Sequence, residues 1–217
     1  HRVDRRQRQM CIRDSVYGML GNYFYAHKFL TKAEKSNPIG DGYIIGLIKN
    51  NIGDIFLQLG NFNEALAHFE EATLLLQQHA HKLSAAVPLF NIAEVKAKQC
   101  HFDEALNIIN SLFDDIKDEP RFLGFYYKIK AEIANGHHNI GDAEAFHLLS
   151  IENMCRSQND YYQAEMILEY CQYLTSHHKY ETLDTYIENG LSIAKSIESD
   201  KLICLLYTSD AADDLLC

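Results

Sequence analysis

Along Asn51–Ala72, NIGDIFLQLGNFNEALAHFEEA, apolar residues recur in two runs: Ile52, Ile55, Phe56 and Leu59, then Phe62, Ala65, Leu66, Phe69 and Ala72. Spacing near 3.6 predicts a helix for each run, and Leu59-Gly60-Asn61 between them predicts a tight turn. The segment therefore reads as a helical hairpin. Small residues stand where the two helices must approach closely, Gly53 on the first and Ala65 and Ala72 on the second, while Phe56, Phe62 and Phe69 fill the space between. One hairpin has too little core to stand alone, so neighbours of the same kind are expected.

The same pattern returns along the chain. Aligned on the turn, the sequence gives Gly21-Asn22-Tyr23, Gly60-Asn61-Phe62, Cys100-His101-Phe102, His138-Asn139-Ile140 and His178-Lys179-Tyr180, with the large residues 39, 40, 38 and 40 positions apart. Three positions later stand Ala26, Ala65, Ala105, Ala143 and Leu183, and ten later Ala33, Ala72, Leu112, Ser150 and Gly190, a mostly small column. No segment alternates with a strand period. The expected class is all-α, with about five hairpins of 38–40 residues in one continuous array.

Cap chemistry places the boundaries. Asp41 is a candidate N-cap for a helix over about 43–59, and a second helix over 62–78 carries Glu64 in its first turn, where a carboxylate favours the helix N-terminus. Pro88 is acceptable only in a first turn, so the third pair opens near Ser84 or is kinked there. Asp118-Glu119-Pro120 is a good helix start. The fourth pair, about 121–135 and 141–156, is the weakest, because Gly141 falls where a helix would begin and His147 stands where other repeats carry Leu, Phe or Ile. The fifth spans about 161–176 and 180–198, and Ser199-Asp200 opens a sixth.

This arrangement of small and aromatic residues around a recurring turn resembles the tetratricopeptide repeat. The resemblance implies a right-handed superhelix, a solenoid in which the first helix of each hairpin lines a concave groove that binds peptide or protein segments. The minimal unit is 34 residues, so the excess here predicts longer helices or longer turns. Positions matching the groove lining include Asn50, Asn51 and Asp54 in the second repeat, Asn91, Glu94 and Lys98 in the third, and Lys128 and Glu132 in the fourth. Asn51 and Asn91 recur 40 apart, and an amide carries donors and an acceptor suited to extended peptide backbone. Asp54, Glu94 and Glu132, 40 and 38 apart, would favour a partner with Lys or Arg. The long, degenerate repeats also look like the regulatory arrays that precede output domains in bacterial signalling proteins such as diguanylate cyclases and histidine kinases. The alternative is the array of a Firmicutes-type peptide-pheromone receptor that regulates a phosphatase or a transcription factor. A homodimer is compatible with either.

Both ends are expected to be foreign. Arg5–Ser15, RRQRQMCIRDS, reads as the translation of a transposase adapter used in preparing sequencing libraries, and Cys204–Asp213, CLLYTSDAAD, as that of its reverse complement. Residues 1–15 and 204–217 are accordingly set aside as adapter-derived, leaving 16–203 as a repeat array from a longer protein.

Composition narrows the function. The chain holds 20 Lys and Arg against 30 Asp and Glu, net −10, and the two ends remove equal numbers of each sign. An acidic surface without clustered cations argues against nucleic acid and anionic membranes as partners. No apolar run approaches a membrane span. Cys100, Cys155 and Cys171 are widely spaced, with no zinc-type pattern, which fits a reducing, cytoplasmic compartment. No nucleotide, hydrolase or metalloprotease motif occurs, so neither catalysis nor a cofactor is expected. The pairs His137-His138 and His177-His178 recur at one turn and read as polar residues of solvated turns; a metal site would need further ligands. Cys171 reads as a small core residue.

Overall fold

The computed structural model describes residues 23–35, 41–79 and 82–211. The helix tail expected at Val16–Leu20, the first turn at Gly21-Asn22 and the break at Ser36–Gly40 lie outside them. Ten α-helices occur among the described residues, and no strand. They are α1 (Tyr23–Lys35), α2 (Gly42–Gln58), α3 (Phe62–His79), α4 (Ala86–Lys98), α5 (Phe102–Ile116), α6 (Pro120–Gly136), α7 (Ile140–Arg156), α8 (Asp160–Ser176), α9 (Leu183–Ser196) and α10 (Asp200–Ala211). The last includes Cys204–Ala211 and buries Leu206.

Phe62, Phe102 and Ile140 each open a second helix of a hairpin, Tyr23 opens α1, and Tyr180 opens the 3-10 turn leading into α9, so the boundaries keep the phase of the repeat. The extra length over a minimal unit goes into the helices, 17 residues in α2, α6, α7 and α8 and 18 in α3. Local chemistry explains the starts. The Asp41 carboxylate accepts from the Tyr43 N–H at 3.0 Å, and Pro120 occupies the first turn of α6, where its missing N–H costs nothing. A 3-10 turn over Lys82–Ala85 precedes α4 and leaves Pro88 in its first turn. Gly141 does not weaken the start of α7, because Asn139 caps it and exchanges hydrogen bonds with Asp142.

The turns share one geometry. Gly60, Cys100, His138 and His178 have φ of 75°, 62°, 59° and 55°. At each, the next N–H reaches back five residues, as from Asn61 to the Phe56 carbonyl and from Asn139 to the Ala134 carbonyl. With the left-handed residue's own N–H, which bonds the carbonyl three residues back as from Gly60 to Leu57, these hydrogen bonds satisfy carbonyls of the last helical turn that would otherwise lack partners. The left-handed residue therefore sets each hairpin angle.

The chain divides into two compact units, residues 1–115 and 116–217. In the first, α2 packs on α1, α3 and α4. Leu30, Ala33, Ile48, Ile52 and Ile55 form one cluster, and Leu57, Ala65, Phe69, Ile92 and Val95 form the next. In the second, α6 pairs with α7, α7 with α8, and α8 with both α9 and α10, around a core that includes Ile167, Tyr170, Leu174, Leu183 and Ile187. The small columns lie inside. Ala65, Ala72, Ala105 and Ala143 are wholly buried, and Ser150 donates its hydroxyl to the Gly124 carbonyl at 2.8 Å.

Candidate functional site

The first helices of the hairpins carry the positions that match a groove lining. In the first unit, Asn91 on α4 donates its side-chain N–H to the Asn50 oxygen on α2 at 2.9 Å. The two amides therefore sit side by side across neighbouring helices. The sequence period instead aligns Asn91 with Asn51. The structure pairs Asn91 one residue earlier, because packed helices interdigitate and do not place equivalent residues head on. Leu47, one turn before Asn50, is 38% exposed, and Asp54, one turn after, is exposed. Glu94 and Lys98 lie 3.6 Å apart on α4, one turn from each other, which offsets part of the acidic column expected there.

In the second unit the equivalent bridge is ionic. Lys128 on α6 meets Glu169 on α8 at 2.9 Å, with only 12% of the Lys128 side chain exposed. The two bridges share one spacing, 41 residues in each case. Lys128 is thus engaged within the protein and not an unoccupied groove cation, and Glu132 follows one turn later, half-buried. Towards the N-terminal ends of α6 and α8, the Phe125 ring meets Tyr162 edge to face at 4.9 Å, and the Arg121 guanidinium lies over Tyr162 at 5.4 Å and near Phe122 at 6.0 Å. The sequence reading missed this cluster, since Tyr162 comes from the following repeat.

Behind this face, His147 on α7 is packed against Tyr170 and Tyr173 at 5.6 and 4.9 Å. Burial, followed by the nearby Lys128 charge, pushes its pKa down to about 4. The Glu144 carboxylate accepts from Lys179 and from the Tyr170 hydroxyl, and its pKa is lowered chiefly by the Lys179 bond.

The paired histidines have ordinary roles. His177 packs in a tilted arrangement against Tyr173 at 4.4 Å, and the His178 ring nitrogen lies 3.0 Å from the Tyr180 hydroxyl. Among the described residues, no group of three His, Cys, Asp or Glu side chains is placed to hold a metal ion. The Cys171 thiol is buried and pushed up to about 12 by that burial, which leaves it inert as a nucleophile. Among the described residues no helix is long and apolar enough to cross a membrane.

Residues 45–114, which span the Asn50–Asn91 bridge, match the sequence model of the family described as tetratricopeptide repeat. Within that segment the chain carries tetratricopeptide repeats. Solved structures agree on this fold. A Rap protein complexed with Competence and Sporulation Factor superposes with a TM-score of 0.76 at 12% identity, over 91% of this chain and 56% of its own. The apo form of RapI gives a TM-score of 0.58 at 10% identity, over 94% and 81%. A putative kinesin light chain from Podosopora anserina, with nearly identical TPR-like repeats, gives 0.53 at 12% identity, over 89% and 97%. The chain spans just over half the length of the Rap protein in the complex. No curated protein matches its sequence.

Proposed function

We propose that this chain is a non-catalytic peptide- or protein-binding module, with the ligand face on the first helices of its tetratricopeptide hairpins. The observation that carries the reading is the Asn50–Asn91 bond. It fixes two amides side by side, and the hydrogens and lone pairs that this single bond does not use present donors and an acceptor together, as an extended peptide backbone requires. Asn51, Asp54, Glu94 and Lys98 flank that pair, and Lys128 and Glu132 occupy the corresponding face of the second unit. A face held by packing loses little entropy on binding.

Two hosts fit such a module. One is the regulatory segment of a longer bacterial signalling protein, such as a diguanylate cyclase or a histidine kinase. The other is a peptide-pheromone receptor that governs a phosphatase or a transcription factor, and the likeness to a Rap protein solved with Competence and Sporulation Factor supports it. Free thiols at Cys100, Cys155 and Cys171 are in keeping with a cytoplasmic setting for both. Adjoining coding sequence separates them: a cyclase or kinase domain downstream supports the first, a DNA-binding domain or three-helix bundle upstream the second.

The reading is tested by selecting displayed random decapeptides against the chain and titrating the best binder. Replacing Asn50 and Asn91 together with Ala should weaken it at least about tenfold, the scale of one or two hydrogen bonds, with the fold retained by circular dichroism. Unchanged affinity would contradict the placement of the ligand on this face.

A further inference from the structure

Three helices of the first unit meet at one cation. α1 packs on α2, with Leu30 and Ala33 buried against Ile48, Ile52 and Ile55. Beside that contact the Lys49 ammonium, its side chain only 14% exposed, lies 3.0 Å from the Glu34 carboxylate on α1 and 3.0 Å from the Glu71 carboxylate on α3. One turn before Glu71, His68 stacks face to face on Phe56 of α2 at 5.4 Å, and His27 of α1 meets the same Phe56 ring edge to face at 5.9 Å. The His68 Nδ1 is shut off from solvent and has no hydrogen-bond partner among the described residues. The ionisable groups that act on this imidazole come from each helix of the junction: His27 and Glu34 from α1, Lys49 from α2 and Glu71 from α3 itself. On α4, which also packs on α3, Lys96 is engaged by Glu104 and Lys98 by Glu94.

We infer that His68 is a proton-sensitive latch: neutral, it lets α1 dock on α2, and protonated, it releases α1 and uncovers the apolar stripe of Ile48 and Ile52. A neutral imidazole can leave Nδ1 bare and carry its proton on Nε2, which suits a buried nitrogen without a partner. Protonation turns Nδ1 into a donor with no acceptor among the described residues and sets a second cation beside Lys49. The face of Phe56 and the Glu34 and Glu71 carboxylates return part of that loss. Burial and then Lys49 still prevail, and together they hold the His68 pKa below the usual histidine value. These opposing surroundings depend on α1, which supplies the His27 edge behind Phe56 and the Glu34 carboxylate that fixes Lys49. With α1 undocked, Phe56 and Lys49 lose those restraints and the ring reaches water, so the open form takes up a proton more readily than the docked one. Falling pH below about 6.5 therefore favours the open form. α1 is the element that yields, since it packs chiefly on α2, whereas α3 is held by both α2 and α4.

The test is hydrogen exchange of the intact chain, read by mass spectrometry at about pH 7.5 and about pH 5.5, both above the range in which carboxylates ordinarily titrate. Rates are corrected for the intrinsic pH dependence of amide exchange. Protection of α1 should fall by up to about tenfold at the lower pH, the factor by which an ordinary imidazole favours its protonated form about one unit below its pKa. Protection of α4 and α5 should hold. His68→Leu and His68→Gln should each keep α1 protected at both pH values, and His27→Gln should still lose protection at the lower one. Glu34→Gln, which cuts the tie from α1 to Lys49, should lower α1 protection already at the higher pH. The His68 ring resonances of the intact chain, titrated by NMR, should follow the same pH course as the loss of α1 protection, which keeps the test open should a variant fail to fold. Protection of α1 that is equal at both pH values, or a loss shared equally by α4 and α5, overturns the latch. So does a loss that persists in a folded His68 variant or vanishes in His27→Gln, an unchanged α1 in Glu34→Gln, or a His68 titration that departs from the loss of protection.

Discussion

A few residues decide how the hairpins close. Gly53 is buried on α2, and a Cβ built there would lie 2.7 Å from two ring atoms of Phe69, which is itself fully buried. Gly124 plays the same part on α6, where a Cβ would meet the Met154 side chain at 2.6 to 2.9 Å, Cγ included, and Met154 is also fully buried. Gly53→Ala and Gly124→Ala are therefore each expected to cost about 1–3 kcal/mol despite the gain in helix propensity. Urea denaturation of both variants checks this, and a neutral result at either position would show that its neighbour yields. At the turns, His138 holds φ of 59° without being glycine. His138→Gly should raise stability by about 0.5–1 kcal/mol, since release from the left-handed strain outweighs the extra freedom of the unfolded chain. A lowered melting temperature would show that the imidazole contributes more than its backbone costs. These residue-level effects were largely legible beforehand, because Gly53 and the turn positions stand out by spacing and type alone.

At the scale of elements, the hairpins were legible and the bonds between them were not. Apolar periodicity and caps located most of the helices to within one or two residues, including the start of α6 at Pro120 and the phase set by Phe62, Phe102 and Ile140, whereas α9 begins three residues after the expected 180 because a 3-10 turn occupies Tyr180–Thr182. Periodicity alone could not give the cross-helix register, which is 41 residues for Asn50–Asn91 and for Lys128–Glu169, against a sequence period of 38 to 40. The difference comes from how ridges of side chains mesh between neighbouring helices, a property of packing absent from one helix's sequence. The Arg121–Tyr162 contact was hidden for the same reason. Because Asn50 and Asn91 bond to each other, a double-mutant cycle with Ala should show a coupling of about 0.5–1.5 kcal/mol in stability. The same cycle on Asn51 and Asn91 should show less, and the reverse order would return the pairing to the period of the sequence.

For the whole molecule, His147 makes stability depend on pH. An unfolded histidine takes its proton near pH 6.5, whereas His147 in the fold does so only near pH 4. Between these values the unfolded chain binds more protons, so stability falls as pH drops from about 6.5 to 4, by at most roughly 3 kcal/mol. His147→Leu, the residue type other repeats favour there, should flatten that window in denaturation curves taken across it; an unchanged slope would assign the acid sensitivity to other groups. Glu144, whose pKa is lowered by Lys179, adds a further loss only at more acidic pH, as its carboxylate takes up a proton.

In the proposed function, ligand is received on the first helices of the hairpins and not on the second. Two exposed leucines separate the alternatives, Leu47 on α2 beside Asn50 and Leu74 on α3. With a photo-reactive phenylalanine analogue at one or the other, irradiation in the presence of the selected decapeptide should give a covalent adduct from position 47 and none from position 74. An adduct from position 74 alone would place the ligand on the opposite face and contradict the account.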